Sequence, residues 1–213
     1  MQTVDAEQTV DAVHPVDTVH PVDTVQTVES PEQVALDLVA AEAVGAVRAL
    51  DPASLAEAAD LIEGARRVFV FGQGRSGIAL RGLAMRLMHL GLAAHVVGDA
   101  TAPSIGAGDV LVVASGSGTT GSVVRAAVAA AGEGAVVVAL TTAADSPVGR
   151  MAACTITVEA AAKTDHGGTA SAQYAGSLFE QTVMLTGDAV FHALWQRSGA
   201  AAEELWTRHA NLE

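Results

Sequence analysis

Two stretches of this chain combine glycine with hydroxyl side chains in a way that suits binding an anion. In Gly72-Gln73-Gly74-Arg75-Ser76-Gly77 the glycines allow a sharp turn and close approach of a bulky group. In Ser115-Gly116-Ser117-Gly118-Thr119-Thr120 four hydroxyls fall within six residues. Both follow short apolar runs, Val68–Phe71 and residues 110–114, and both precede helical patterns. At a helix start the backbone N–H groups lack partners and the dipole is positive, so a phosphate can sit there without a metal. Capping alone would need one hydroxyl, and four exceed that need. We therefore take Gly74, Arg75, Ser76, Ser115, Ser117 and Thr120 as candidate phosphate-binding residues.

The glycine spacing also fits the dinucleotide pattern G-x-G-x-x-G, and Asp99 falls where a ribose-binding acid would stand, so a nicotinamide cofactor is not excluded by spacing. A second hydroxyl-rich loop suits one small phosphorylated ligand better.

The elements that must position these loops follow from patterning. Helices are expected over residues 32–50 and from Asp51 and Ser54 to about Ile62, the first with Ser30 as N-cap and Pro31 at its first position. Strands at 68–71, 95–97, 110–114, 135–140 and 154–158 alternate with helices at about 76–90 and up to about Ala131. A turn is expected at Ser146-Pro147, and two closing helices at about 173–197 and 200–210. This alternation predicts a three-layer α/β/α sandwich with a five-stranded parallel sheet, flavodoxin-like in class. In such a sheet both glycine turns lie at carboxyl ends of strands and can share one crevice.

Composition narrows the function. The 213 residues suffice for one α/β domain, and half of them are hydrophobic, mostly alanine and valine. No apolar run approaches the ~20 residues of a membrane span. A formal charge of −13 makes nucleic acid and anionic lipid poor partners, so any phosphate site must be local. The lone Cys154 gives no disulfide framework and reads as a core residue. The single Lys163 weakens any Schiff-base chemistry, and no His, Asp or Glu set has metal spacing. No signal peptide is visible, so a cytoplasmic location is expected. Residues 1–30 repeat Thr-Val-Asp and His-Pro-Val-Asp-Thr-Val units and read as a disordered acidic extension, leaving 31–213 as the folded domain. His14 and His20 belong to that tail.

The glycine turn, Ala84-Met85-Arg86-Leu87-Met88-His89-Leu90-Gly91, the serine loop, Gly176-Ser177-Leu178-Phe179-Glu180-Gln181 and the ending His209-Ala210-Asn211-Leu212-Glu213 resemble the 6-phospho-3-hexuloisomerase family of SIS (sugar isomerase) domains. The two loops point to the superfamily; the other three segments narrow it to the family. The resemblance covers about residues 31–213 and departs at Thr119, where many relatives carry a charge.

It implies a cofactor-free enzyme that interconverts D-arabino-hex-3-ulose 6-phosphate and D-fructose 6-phosphate through an enediol, in the ribulose monophosphate route of formaldehyde fixation. It also implies a homotetramer with active sites near subunit contacts. Glu180 would be the base, and His209 would reach an active site, its own or a neighbour's, for ring opening or proton shuttling. Leu178, Phe179, Val183, Val190 and Leu194 are expected in the core, with His89 and His95 in core-like positions. His192 is expected to pair with Asp188 on one helix face, and His166 is left without a role. Two other functions remain open: a sugar-phosphate sensor without turnover, and another sugar-phosphate isomerase of the same superfamily.

Overall fold

The computed structural model describes residues 29–160 and 171–212. Most of the predicted tail, with His14 and His20, lies outside the described residues, as do Lys163 and His166. Helices α1 (Pro31–Arg48) and α2 (Pro52–Glu63) precede strand β1 (Arg67–Gly72). Helix α3 (Gly74–His89), strands β2 (Ala94–Val96) and β3 (Asp109–Ala114), helix α4 (Gly121–Gly132) and strand β4 (Val136–Thr141) follow. A short α5 (Pro147–Met151), β5 (Cys154–Thr157), the long α6 (Ser177–Ser198) and α7 (Ala202–Trp206) complete the order.

All five strands run parallel in the order β2-β1-β3-β4-β5, the flavodoxin-like arrangement predicted. The central strands β1, β3 and β4 are apolar on both faces because helices cover both. Val68, Val70, Val110, Val112, Val138 and Ile156 pack towards α2, α3 and α6. Phe69, Leu111, Val113, Val137 and Ala139 pack towards α4 and α5. Burying one such large side chain contributes about 1.5–3 kcal/mol.

Two features of the sheet decide where a ligand can lie. The chain leaves β1 to one side and β3 to the other, so the order reverses between them, the usual crevice of an open α/β sheet. The register pairs Gly72 with Ala114, which brings the first glycine turn and the serine loop out of the sheet at the same level.

Several boundaries differ from the sequence expectation, each for a local reason. Helix α3 starts at Gly74, two residues early: the chain turns within Gln73 and Gly74, where glycine takes a left-handed φ of 58°, and enters the helix at once. The turn at Ser146-Pro147 is a one-turn helix, capped by the Ser146 hydroxyl, which accepts from Gly149 N, with Pro147 at its first position. The last long helix begins at Ser177 instead of 173, because Ala175 sits at φ 50° and breaks the helical path. It ends at Gly199, a left-handed cap, and the expected 200–210 helix shrinks to Ala202–Trp206.

Candidate active site

The crevice is built from the backbone first. Gly72 and Gly77 touch so closely that a Cβ on Gly77 would collide with the Gly72 carbonyl, which fixes α3 hard against the end of β1. Gly118, at φ 62°, lets the serine loop fold over Ser146. The end of β4 then clamps that loop: the Gly116 carbonyl accepts from the Thr141 hydroxyl at 3.1 Å, the Thr142 hydroxyl at 2.8 Å and Thr142 N at 2.9 Å.

Gln73, Ser76, Ala114, Ser115, Gly116, Ser117 and Thr120 line one small cleft of about 60 Å³. Four of the predicted phosphate-binding residues therefore meet in one place, and both loops face it. The Ser115 and Thr120 hydroxyls lie 2.8 Å apart, and the Ser117 hydroxyl accepts from Thr119 N and the Thr119 hydroxyl. Thr120 is the N-cap of α4, yet its side chain makes no cap hydrogen bond, and neither does Gln73 at the start of α3. Two helix N-termini thus point at a hydroxyl-lined cleft without side-chain caps of their own, the arrangement that favours a phosphoryl group.

Gly74 contributes the turn, and Arg75 leads out of the cleft. One Arg75 nitrogen lies 3.1 Å from a Glu180 carboxylate oxygen and donates to the Ser177 hydroxyl at 3.1 Å. The arginine is half-exposed, whereas Glu180 is only 9% exposed. Phe179, fully buried, lies against Gly116, so the same helix turn that carries Glu180 also supports the serine loop. Glu180 and Arg75 further line an apolar groove of about 570 Å³ between α1, α3 and α6, with Leu36, Val39, Ile78 and Met184.

His209 is placed elsewhere. It is exposed and stacked between His89 and Trp206, with ring centroids 4.8 Å from each. His89 is the last residue of α3, whose 16 residues separate its two ends by about 24 Å. Within one chain, then, His209 is not brought to the crevice. Burial first, then the nearby His209 and Arg86 charges, holds the buried His89 below the ordinary histidine pKa.

The remaining candidates have other neighbours. Asp99 pairs with Arg81 at 2.8 Å. His192 meets the edge of the Trp195 ring, and His95 lies beside Phe69. Cys154 is buried with its thiol on the Ser54 carbonyl, and burial, then Glu57, pushes its pKa up to about 11, as a core thiol requires. No described helix is long and apolar enough to cross a membrane.

Sequence reasoning passed over Gln73, Ser177, Thr141 and Thr142. Gln73 stands inside the quoted glycine motif, and its place between two glycines at a strand end was the available signal. The threonine pair gave none, because their partner, the Gly116 carbonyl, is 25 and 26 residues away.

Comparison with known proteins fits this geometry. Residues 61–185 match the SIS domain family model. The chain is 53% identical over 178 residues to the 3-hexulose-6-phosphate isomerase of Mycobacterium gastri, covering 84% of this chain and 89% of that one. The chain belongs to the 3-hexulose-6-phosphate isomerase family of SIS domains. A second family member, the 3-hexulose-6-phosphate isomerase of Bacillus subtilis, is 40% identical, over 73% of this chain and 84% of that one. Among solved structures, a hypothetical protein from Methanococcus jannaschii, whose structure was described as inferring a 3-hexulose-6-phosphate isomerase function, superposes with a TM-score of 0.71. It is 31% identical, covering 84% of this chain and 99% of that one. The family match spans both anion loops and the Glu180 turn of α6.

Proposed function

We propose that this chain interconverts D-arabino-hex-3-ulose 6-phosphate and D-fructose 6-phosphate, with Glu180 moving the proton between C2 and C3. The observation that carries the reading is the pairing of 53% identity to a 3-hexulose-6-phosphate isomerase with a hydroxyl-lined phosphate cleft beside a buried carboxylate.

The phosphoryl group lies in the cleft, held by the Ser76, Ser115, Ser117 and Thr120 hydroxyls and the free ends of α3 and α4. With a net charge of −13 the surface repels an anion, so these local donors must do the holding. Arg75 spans the two halves of the site. A guanidinium has five donors, so it can keep Glu180 on one edge and offer another to the phosphate. Glu180 takes the proton from C2 of the 3-ulose while the carbonyl oxygen at C3 gains one, giving the 2,3-enediol. Return of the proton to C3, with loss of the O2 proton, leaves the carbonyl at C2. Such a positioned base contributes typically about 10²–10⁴-fold.

The same reading makes the enzyme a cytoplasmic homotetramer. Val34, Leu36, Val39 and Val44 of α1, Ile78 and Met85 of α3, and Met184 and Leu185 of α6 are all exposed in one chain. Exposed apolar side chains of this kind, with Leu36, Val39, Ile78, Met184 and Leu185 around one groove, are suited to subunit contact. His209, remote from its own crevice, would then serve a neighbouring subunit's.

The test is to incubate the protein with fructose 6-phosphate in deuterium oxide. Carbon-bound deuterium at C3 is the expected result. Label at C1 instead would indicate a 1,2-enediol and a different sugar-phosphate isomerase. A chain that binds the sugar phosphate and incorporates no label would be a sensor.

A further inference from the structure

Helix α6 carries Glu180 on its first turn, yet its own sequence does little to fix where that turn points. Its N-cap is Gly176, which offers no side-chain cap. The residue before that, Ala175, is held at φ 50°, a conformation that a residue with a Cβ adopts only when its surroundings impose it. Something outside the helix must hold the entry turn in place.

The side chain that does so is Glu42 of α1. One of its carboxylate oxygens accepts from Ala172 N at 2.7 Å. The other accepts from the Ser171 hydroxyl at 2.7 Å and from the Gln173 amide at 2.9 Å. Gln173 then reaches past the strained Ala175 to Gln181, the residue after Glu180, in a reciprocal amide pair of 2.8 and 3.2 Å. Burial opposes the charge on Glu42, but the three donors outweigh it and hold its pKa below the ordinary carboxylate value. Glu42 also stands on the packed side of an otherwise apolar stretch, one helical turn before the buried Ala46, where an alanine or leucine would pack without this network. An acid there is explained by what it holds.

We propose that Glu42 is a positioning residue for the isomerisation. Its carboxylate pins residues 171–173, and through Gln173 and Gln181 it sets the direction in which the first turn of α6 presents Glu180. The inference rests on Glu180 acting as the base. A displacement of about 1 Å in a catalytic group costs up to ~10²-fold in rate, so loss of the pin is read in turnover.

The experiment is steady-state kinetics on the full chain, well below the unfolding midpoint of each variant. Glu42→Gln keeps the size of the side chain but turns one acceptor into a donor facing the Gln173 amide. We expect kcat to fall about tenfold or more with KM within twofold. Exchanging the two side chains, as Glu42→Gln with Gln173→Glu, restores a donor–acceptor match and should recover a substantial part of the loss. In a Glu180→Gln background, Glu42→Gln should cost nothing further. If Glu42→Gln fails to fold, Gln173→Met cuts the link to Gln181 while leaving the Ser171 and Ala172 bonds, and a several-fold drop in kcat is expected. An unchanged kcat in these variants, or an equal further loss without Glu180, overturns the proposal and leaves Glu42 a plain strut between α1 and α6. Should Glu180→Gln itself keep full turnover, the assignment of the base fails and this inference goes with it. An inactive Glu180→Gln beside a normal Glu42→Gln removes the positioning role alone.

Discussion

The two edges of the sheet treat charge and hydrogen-bonding capacity in opposite ways. At the amino-terminal edge, Asp109 is completely buried and accepts from Arg66 at 3.1 and 3.2 Å, from Arg67 at 3.1 and 2.6 Å and from Gly106 N at 2.9 Å. Every acceptor site is used within the chain, and those donors, Arg67 first, drive its pKa well below the ordinary carboxylate range despite burial. At the carboxyl-terminal edge, the hydroxyls of Ser115 and Thr120 bond only each other among the described residues, and α3 and α4 start without side-chain caps. Of the other helices, α1, α2 and α5 are each capped by their own Ser30, Asp51 and Ser146, α5 at this same carboxyl-terminal edge, while α6 and α7 start without such caps. Donors that are satisfied internally fix a fold; donors left facing a cleft are available to a ligand. The comparison separates the residues that should affect turnover from those that should affect stability.

The sharpest way to break this separation is at Glu180. Glu180→Gln should lower kcat by about 10²–10⁴-fold while the thermal midpoint stays near that of the parent. Near-normal turnover would remove the carboxylate from the chemistry. The next effect in size belongs to the opposite edge. Asp109→Asn leaves two arginines facing a neutral amide in a closed pocket and should destabilise the chain by about 3 kcal/mol in urea melts. Its kcat and KM, measured on folded protein, should be unchanged; a shifted KM would show that the two edges are coupled. Smaller again is Ser115→Ala. Loss of one hydrogen bond to a charged phosphate, about 1.5–3 kcal/mol, should raise KM roughly tenfold or more, with little change in stability. A KM equal to the parent's would place the phosphate outside the cleft.

The same contrast explains what could be read in advance. The sheet and both anion loops were legible because each depends on short-range pattern: apolar runs of β-formers, glycines at strand ends, hydroxyls at helix starts. Strand register then brings Gly72 level with Ala114, and the loops meet without further instruction. The Arg75–Glu180 pair was not legible, since 105 positions separate residues that the packing of α3 on α6 brings within 3.1 Å. The Glu42 network, spanning 129 to 131 positions, was hidden for the same reason. The start of α6 was misplaced because nothing in Gln173-Tyr174-Ala175-Gly176 announces a left-handed alanine. For His209 the sequence supplies a histidine near the end but no account of where the chain turns after α6, and the stack with His89 and Trp206 depends on that turn.

His89, in that stack, offers the finest test of the contrast, because it titrates in a different range from Asp109. His89 is buried, and its pKa lies below the ordinary value of 6.5 because burial, then His209 and Arg86, oppose its charge. The unfolded chain therefore takes up a proton before the folded one does. Stability is then complete above about pH 6.5 and declines as the pH falls from there towards the lowered value. Asp109 behaves as a depressed carboxylate: its contribution persists through this range and is lost only as the pH falls through 3.8 and below. Urea midpoints should thus show two separate declines. His209→Gln, which removes one of the charges opposing His89 but leaves its burial, should shrink the upper decline and leave the acid one untouched. If the upper decline is the same in both proteins, the coupling between the stacked imidazoles is negligible, and burial with Arg86 sets the His89 behaviour.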